Sequence, residues 1–259
     1  MIEIKAIPIL QDNYVWALLP KNSNDAIIID PGLAEPVTQF LQENNRKLTA
    51  ILVTHHHWDH TDGIKTLVDA AQCPVYGPDS HAIPQVTHPL ISGATISPCA
   101  NGQLAVIAIP GHTEEHIGYQ LLHQEQPILF CGDTLFSAGC GRLLGGTAEQ
   151  LKHSLDMIKE LPSSTLIYPT HEYTQANLTF AKAVMPNNRS VKDYTRWVAQ
   201  QRNKHAITLP TTVARELALN PFMRCNDQEV VDAVKGHFSI DASDEQTIFT
   251  HLRLWKDHF

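Results

Sequence analysis

Short apolar runs alternate with polar segments up to about residue 172, and most of the runs have the length of a β-strand. Residues 35–44 and 64–71 instead show the wider spacing of helices, and the polar pair Thr61-Asp62 before the second helix predicts its N-cap. The predicted strands are Ile2–Ile9, Val15–Leu19, Ala26–Ile29, Ala50–Val53, Leu104–Ile109, Gly118–Leu122, Ile128–Phe130 and Leu166–Tyr168. The pattern therefore indicates a mixture of strands and helices.

Beyond residue 172 the pattern becomes helical. Apolar residues recur at helical spacing in two stretches, at Val191, Tyr194 and Val198 and again at Ile248, Leu252 and Trp255. We therefore predict a strand-containing domain over residues 1–172 and a small helical domain over residues 173–259.

A cluster of three imidazoles and a carboxylate follows the strand predicted at Ala50–Val53. His55 and His57 are two residues apart, so in an extended backbone they point to the same side. Asp59 and His60 come after the chain turns, so they can face a second, neighbouring ion. Because neutral imidazole is the commonest metal ligand and a carboxylate adds charge for a divalent cation, this loop predicts metal binding at two positions.

Three later apolar runs also end in loops that carry a His or an Asp, namely His112, Asp133 and His171. Loops beyond strand ends are where ligands gather in α/β sheets. Taken singly, His112 and His171 are weak signals, and Asp133 alone has the features of a turn or cap residue. Together with the first loop they supply five His and two Asp, enough for two ions with positions left for water or substrate.

Motifs along nearly the whole chain resemble one protein family. Thr54 to His60 resembles the T-H-x-H-x-D-H motif of the metallo-β-lactamase superfamily, and the other three loops follow in the family's order. Longer segments resemble the glyoxalase II family, the hydroxyacylglutathione hydrolases. These segments are residues 9–14, 130–142, 171–174 and 220–224.

The resemblance implies an α+β fold, an αββα sandwich of the metallo-β-lactamase type followed by a small C-terminal helical domain. Residues 1–172 would then be the catalytic domain and residues 173–259 the substrate-binding domain. It also implies two divalent metal ions, which we expect to be zinc, with iron or manganese as alternatives. The first ion would be held by His55, His57 and His112, the second by Asp59, His60 and His171, and Asp133 would bridge them.

The resemblance further implies the reaction, which is hydrolysis of the thioester S-D-lactoylglutathione to D-lactate and glutathione in methylglyoxal detoxification. A hydroxide between the two metals would be the nucleophile, and Asp59 would orient it. A thiol has a pKa of about 8.5, so the thiolate leaves without a strong general acid. Arg142, Tyr173 and Arg224 would contact glutathione. Arg253 and Lys256 of the last helix could join this cationic patch, although the pattern favours a solvated helix face for them.

Three positions depart from the family pattern. Leu144 stands where Tyr is common, and residues 225–228 lack a Lys that often follows Arg224. Both departures remove expected contacts with glutathione. Glu115 stands where Gly is common, which changes the geometry or charge of the loop around His112. His116 is expected to support the metal ligands rather than to bind metal.

Composition narrows the function classes. The chain of 259 residues has a formal net charge of −8 and no run of Lys or Arg, which argues against binding to nucleic acid or acidic membranes. No apolar stretch approaches the ~20 residues of a membrane span, and the first residues lack the features of a signal peptide. Five Cys without a C-x-x-C pair indicate a reducing compartment. We therefore expect a cytoplasmic monomer acting on a small molecule.

Two other functions remain open. A persulfide dioxygenase of the same superfamily would use one iron and also bind glutathione, and metal stoichiometry and oxygen uptake would distinguish it. A metal-binding interaction protein without activity would bind metal but turn over no thioester. The full ligand pattern with its bridging aspartate favours the hydrolase, as does the helical C-terminal part that carries the segment Asn220 to Arg224.

Overall fold

The computed structural model describes residues 2–99, 102–122, 125–242 and 244–259. The chain divides into two compact units. The first unit is formed by Met1–Ala108 and Glu115–Gly132, and the second by Ile109–Glu114 and Asp133–Phe259. Each unit therefore combines two separated segments of the chain, and the division at residue 172 by chain order stays a prediction.

The first unit contains a six-stranded mixed sheet. Its strands, in sheet order, are β1 (Ile2–Ile9), β2 (Asn13–Pro20), β3 (Asp25–Ile29), β4 (Lys47–Leu52), β5 (Val75–Pro78) and β6 (His88–Leu90). Neighbours from β1 to β3 are antiparallel, and neighbours from β3 to β6 are parallel. Helices α1 (Ala34–Glu43) and α3 (Ile64–Ala71) lie in the crossovers before β4 and β5, because parallel strands need long connections.

The same unit contains four further strands that pair antiparallel in chain order. These are β7 (Thr95–Ile96), β8 (Leu104–Ala108), β9 (Ile117–Leu121) and β10 (Ile128–Gly132). All five residues of β10 are buried. The strand predicted at Ile128–Phe130 is present, and its continuous apolar run leaves it without a solvated face.

The core of the first unit explains why β1 and β2 differ in sequence pattern. β1 lies at the sheet edge and its last residues alternate, with Ile7 and Ile9 buried and Pro8 exposed. β2 lies between two strands and is buried throughout. The apolar side chains of helices α1 and α3 join this core, and each fully buried Leu or Ile contributes about 1.5–3 kcal/mol.

The second unit is mainly helical. Its short strands pair antiparallel as β11 (Leu135–Phe136) with β12 (Gly139–Cys140) and β13 (Leu166–Pro169) with β14 (Thr211–Thr212). Its helices are α4 (Ala148–Lys159), α5 (Thr174–Val184), α6 (Arg189–Arg202), α7 (Val213–Leu219), α8 (Gln228–Phe238) and α9 (Glu245–Asp257), with a 3-10 turn at Pro221–Met223. Within the described part of the chain, no helix has both the length and the apolar character needed to cross a membrane.

A buried carboxylate organises the turn between β11 and β12. Glu216 is fully buried, and its two oxygens accept hydrogen bonds from the Ser137 hydroxyl, the Ala138 N–H, the Thr211 hydroxyl and the Asn220 amide. Burial raises the pKa of Glu216, and these four donors work against that rise. A buried polar group is tolerated when it is hydrogen-bonded, so Glu216 fixes the turn rather than disrupting the core.

Two local predictions differ from the structure. Thr61 and Asp62 do not cap α3, because Thr61 is the last residue of a short helix, α2 (Trp58–Thr61), and the N-cap is Gly63. A Cβ at Gly63 would lie 2.4 Å from the carbonyl oxygen of Pro31, so close packing excludes a capping side chain there. Helix α4 was not predicted, although its N-terminus carries a capping box.

The capping box of α4 gives a test of local stability. The Thr147 hydroxyl accepts a hydrogen bond from the Gln150 N–H at 3.2 Å, and the Gln150 side chain accepts one from the Thr147 N–H at 2.8 Å. We predict that Thr147→Ala lowers the free energy of unfolding by about 1 kcal/mol, measured by urea denaturation. Thr147→Ser keeps the hydroxyl and is the matched control. Equal stability of the Ala and Ser variants would contradict the cap.

Candidate active site

The loop after β4 places two predicted ligands side by side within the first unit. His55 is fully buried, and its Nε2 lies 3.0 Å from Nδ1 of His57. The backbone at His57 is extended, with φ −61° and ψ 146°, which is the geometry assumed for side chains two residues apart. Two imidazole nitrogens at this distance either share a proton or contact a common cation. The structure therefore brings His55 and His57 together as the spacing predicts.

Asp59 and His60 lie on α2, directly after this extended step. His60 is fully buried, and its Nδ1–H donates to the Asp30 carboxylate at 3.0 Å. The other ring nitrogen, Nε2, lies 3.6 Å from Oδ2 of Asp59. In a neutral ring with a proton on Nδ1, Nε2 carries a lone pair, so two lone-pair atoms face each other. A cation near both atoms stabilises this arrangement.

Asp30 connects the end of β3 to the ligand loop. Its carboxylate accepts hydrogen bonds from the Thr54 N–H and the Thr54 hydroxyl, both at 2.8 Å, in addition to the one from His60. Asp30 is buried and has a positive φ of 54°. A carboxylate in this position fixes the tautomer and the orientation of a metal-binding imidazole. Sequence reasoning missed this role, because Asp30 followed by Pro31 and Gly32 has the pattern of an ordinary turn.

Residues 115 and 116 contact the same loop from within the first unit. The Glu115 carboxylate accepts a hydrogen bond from the His56 N–H at 3.3 Å and contacts Nδ1 of the His56 ring. The buried His116 ring stacks on His55, with 4.6 Å between centroids and 19° between planes. Glu115 therefore acts on loop geometry, and His116 packs against a predicted ligand, as expected from the sequence.

Gly132 allows the chain to pass this cluster just before the predicted ligand Asp133. Its φ is +49°, and a Cβ at this position would lie 2.4 Å from the Thr54 hydroxyl oxygen and 2.9 Å from the His116 ring. Any other residue would meet both a strained backbone and a direct clash. The glycine of the Gly132-Asp133 motif is therefore required by packing around the ligand loop.

Three predicted ligands converge within the second unit. Nε2 of His112 lies 3.6 Å from Oδ2 of Asp133, and Nε2 of His171 lies 3.3 Å from the same oxygen. All three side chains are buried. The structure thus brings two histidines from separate strand-end loops to one carboxylate oxygen of Asp133, which lies in a third such loop.

The ring of His112 repeats the arrangement seen at His60. Its Nδ1–H donates to the carbonyl oxygen of Arg142 at 2.7 Å, and a carbonyl can only accept. In the neutral ring Nε2 then carries a lone pair and faces the Asp133 carboxylate. Imidazole and carboxylate donors of this kind suit divalent zinc, iron and manganese. The described residues thus include His and Asp groups that could hold a metal ion.

A pocket of about 290 Å³ lies in the second unit. Tyr173 lines the pocket, and its ring stacks on the His171 ring with 4.6 Å between centroids and 7° between planes. Three cationic side chains, Arg142, Arg253 and Lys256, line the same pocket together with the carboxylate of Asp257. The excess of positive charge suits an anionic ligand.

Arg253 and Lys256 line the pocket, so the favoured placement on a solvated helix face was wrong and the alternative, that they join the cationic patch, is the one observed. The side chain of Arg253 is buried. Its burial is tolerated because its guanidinium donates to the carbonyl oxygens of Cys140 at 2.9 Å and Gly141 at 3.2 Å. Lys256 is partly buried at the pocket, and this burial lowers its pKa. The spacing of residues along the last helix does not reveal that backbone carbonyls elsewhere in the chain need a hydrogen-bond donor.

The other predicted contact residues are divided between two places. Arg142 lines the pocket with an exposed side chain, and its Nε lies 3.6 Å from Oδ1 of Asp257. Arg224 lies outside this pocket, where it donates to the carbonyl oxygens of Leu217 and Ala218 and pairs with Asp227. The guanidinium of Arg224 thus satisfies carbonyls at the end of α7.

Comparisons with known proteins show the family of the chain. The model of the metallo-beta-lactamase superfamily matches residues 11–171, and the model described as hydroxyacylglutathione hydrolase C-terminus matches residues 172–259. A hydroxyacylglutathione hydrolase of Shewanella baltica is 45% identical over 270 aligned positions, and one of Pseudoalteromonas translucida is 44% identical over 262. Both alignments cover the whole of each chain.

A similar fold occurs in a solved structure, ETHE1 from Myxococcus xanthus, with a TM-score of 0.65 and 22% identity over 96% of each chain. The fold is thus that of a metallo-β-lactamase-type protein, and the α+β fold predicted from the sequence is confirmed. Within that superfamily, the chain belongs to the hydroxyacylglutathione hydrolase family.

The contact between Asp30 and His60 gives a test of the metal site. In Asp30→Asn the amide can no longer offer two acceptor oxygens to the Thr54 hydroxyl and the His60 ring. We predict that affinity for zinc falls at least about tenfold, measured by competition with a chromophoric chelator. Asp69→Asn removes an exposed carboxylate of α3 that pairs with Lys65, and it is the control. Unchanged zinc affinity in folded Asp30→Asn would refute the orienting role.

Proposed function

We propose that this chain hydrolyses the thioester of 2-hydroxyacylglutathiones, in particular S-D-lactoylglutathione, to D-lactate and glutathione. The names of its full-length relatives support this reaction. The observation that carries the proposal is the position of Tyr173, which stacks on the predicted ligand His171 and lines the cationic pocket. A predicted metal ligand and a pocket suited to an anionic substrate are thus neighbours in one unit. This reaction would contribute to methylglyoxal detoxification.

We propose that two divalent ions, zinc in preference to iron or manganese, are held by the seven predicted ligands. His55, His57 and His112 would hold one ion, Asp59, His60 and His171 the other, and Asp133 both. The proposal is supported in each unit by a buried imidazole whose Nδ1 is hydrogen-bonded and whose Nε2 faces a carboxylate. When bound, two such ions would supply a water of lowered pKa and would polarise the carbonyl under attack.

Asp59 is the proposed catalytic residue. Its Oδ2 accepts a hydrogen bond at 2.9 Å from the amide of Asn13, which is buried. This contact restrains rotation of the carboxylate. A restrained carboxylate can accept a hydrogen bond from the attacking hydroxide and direct the hydroxide lone pair to the thioester carbon, and fixed orientation of this kind lowers the barrier. Asn13 therefore contributes to the reaction through Asp59.

The leaving group does not need to be protonated by the protein. Glutathione leaves as a thiolate, and the pKa of an ordinary thiol is about 8.5, so a general acid of the chain is not needed. Cys140 lines the pocket, but burial raises its pKa to about 11, which keeps its thiol protonated at neutral pH. Cys140 is therefore a packing residue and not a competing nucleophile.

The cationic pocket is the proposed site for the carboxylates of glutathione. We propose that Arg142 and Tyr173 contact the substrate, with Lys256 supplying the charge expected from Arg224. Asp257 pairs with both Arg142 and Arg253, so its carboxylate offsets part of the repulsion between the two guanidinium groups. Leu144, which is exposed, offers no hydrogen bond in place of the tyrosine common in the family. Arg142 and Lys256 therefore account for most of the charge recognition.

The proposed substrate pocket draws on both parts of the chain defined at residue 172. Arg142 comes from the part predicted to be catalytic, whereas Tyr173 and Lys256 come from the part predicted to bind substrate. A cytoplasmic location and a monomeric state stay predictions. All five cysteines are free, which fits a reducing compartment.

Thioester hydrolysis tests the proposal directly. Purified protein with S-D-lactoylglutathione should show fast loss of thioester absorbance that a chelator abolishes. His112→Ala and Asp133→Asn should each lower kcat/KM more than about tenfold, because each removes a ligand. His88→Ala changes an exposed histidine on β6 and is the control. Metal-loaded protein without turnover would refute the proposal, and oxygen uptake with glutathione persulfide would then test the dioxygenase.

The pocket gives a second kinetic prediction. Lys256→Met keeps the length of the side chain but removes its charge, so we expect KM to rise about tenfold or more with little change in kcat. The effect of salt on KM should also weaken in this variant. Lys235→Met, which removes a surface pair with Asp241, is the matched control. A KM that is the same in both variants would exclude Lys256 from the substrate site.

A further inference from the structure

Two aromatic rings lie under the ammonium group of Lys256. Its Nζ is 5.3 Å from the centroid of the Phe180 ring and 5.7 Å from that of the Phe259 ring. The two rings contact each other edge to face, with 5.2 Å between centroids and 73° between planes. A cation within about 6 Å of an aromatic face is attracted by the negative charge density of that face.

The ammonium group needs such support. Burial lowers the pKa of Lys256, and the nearby guanidinium of Arg253 lowers it further by repulsion. The four-carbon stem of lysine is also flexible, so the charge has no fixed position unless other groups provide one. The two rings offset part of the cost of placing this charge at the pocket and restrict where it lies.

The two phenylalanines differ in how deeply their side chains are buried. Phe180 is fully buried on α5 and also contacts Phe222 and Trp255, so it belongs to the core of the second unit. Phe259 is 56% exposed. The loss of its ring therefore costs less packing than the loss of Phe180, and a substitution at Phe259 changes its contacts with Lys256 and with the Phe180 ring.

We propose that Phe259 is a positioning residue that holds the ammonium group of Lys256 at the pocket and thereby strengthens binding of the glutathione part of the substrate. The inference rests on the proposed function, because it assumes that Lys256 contacts a carboxylate of glutathione. It assigns Phe259 to substrate affinity and not to the chemical step. Its effect should therefore appear in KM and leave kcat unchanged.

Substitutions at Phe259 separate the aromatic face from apolar bulk. Phe259→Leu keeps an apolar side chain but removes the aromatic face, whereas Phe259→Tyr keeps both. We expect Phe259→Leu to raise KM for S-D-lactoylglutathione, and Kd for glutathione measured by calorimetry, about two- to fivefold. Phe259→Tyr should match the unchanged protein, and Tm should be the same in all three.

A double-mutant cycle shows whether Phe259 acts through Lys256. In Lys256→Met the aromatic face has no cation to hold, so adding Phe259→Leu should cause no further change in KM. A loss that persists in the Lys256→Met background would overturn the inference, because the ring would then act by another route. Equal KM values for Phe259→Leu and Phe259→Tyr, or a fall in kcat without a change in KM, would also overturn it.

Glutathione binding distinguishes failure of this inference from failure of the proposed function. Turnover of the thioester without any difference between the Leu and Tyr variants refutes the role of Phe259 alone. Binding of glutathione that weakens in Phe259→Leu, in a protein that does not hydrolyse the thioester, refutes the proposed reaction and retains the role of Phe259. Absence of both turnover and glutathione binding in the unchanged protein refutes both.

Discussion

Buried imidazole rings must be held by one nitrogen so that the other faces a chosen position. His60 is held in this way by the Asp30 carboxylate, and His112 is held by the carbonyl oxygen of Arg142. In both cases the second nitrogen faces a carboxylate oxygen at 3.6 Å. A buried polar group without such partners would cost several kcal/mol, so the turns at the strand ends are built around these contacts. The remaining features of the site follow from this constraint.

Sheet geometry places the partners of the rings. Asp30 follows β3, and the loop that carries His55 to His60 follows the parallel neighbour β4. Both therefore lie at the carboxyl ends of adjacent strands. The hydrogen bonds from Thr54 to Asp30 join the two strand ends. Because rigid strands set these positions, short loops are enough to orient the side chains precisely enough for chemistry.

Much of this was accessible from the sequence because the signals are local. Helix α3 has the predicted bounds of Ile64–Ala71, and the loops with His55, His112, Asp133 and His171 follow strands as predicted. What the sequence did not reveal are contacts between distant positions. Asp30 acts on His60 thirty residues away, and Arg253 donates to a carbonyl more than a hundred residues away. Spacing along the chain carries no information about such pairs.

The buried guanidinium of Arg253 limits which substitutions the protein can accept during evolution. The same side chain holds the Cys140 and Gly141 carbonyls of the pocket wall and lies over the Phe222 ring in the core of the second unit. A substitution that reshapes the wall through this residue therefore also weakens the docking of α9. The exposed side chain of Arg142 holds no part of the core, so a substitution there can change ligand preference without loss of stability. Substitutions that alter substrate choice should therefore accumulate first at Arg142.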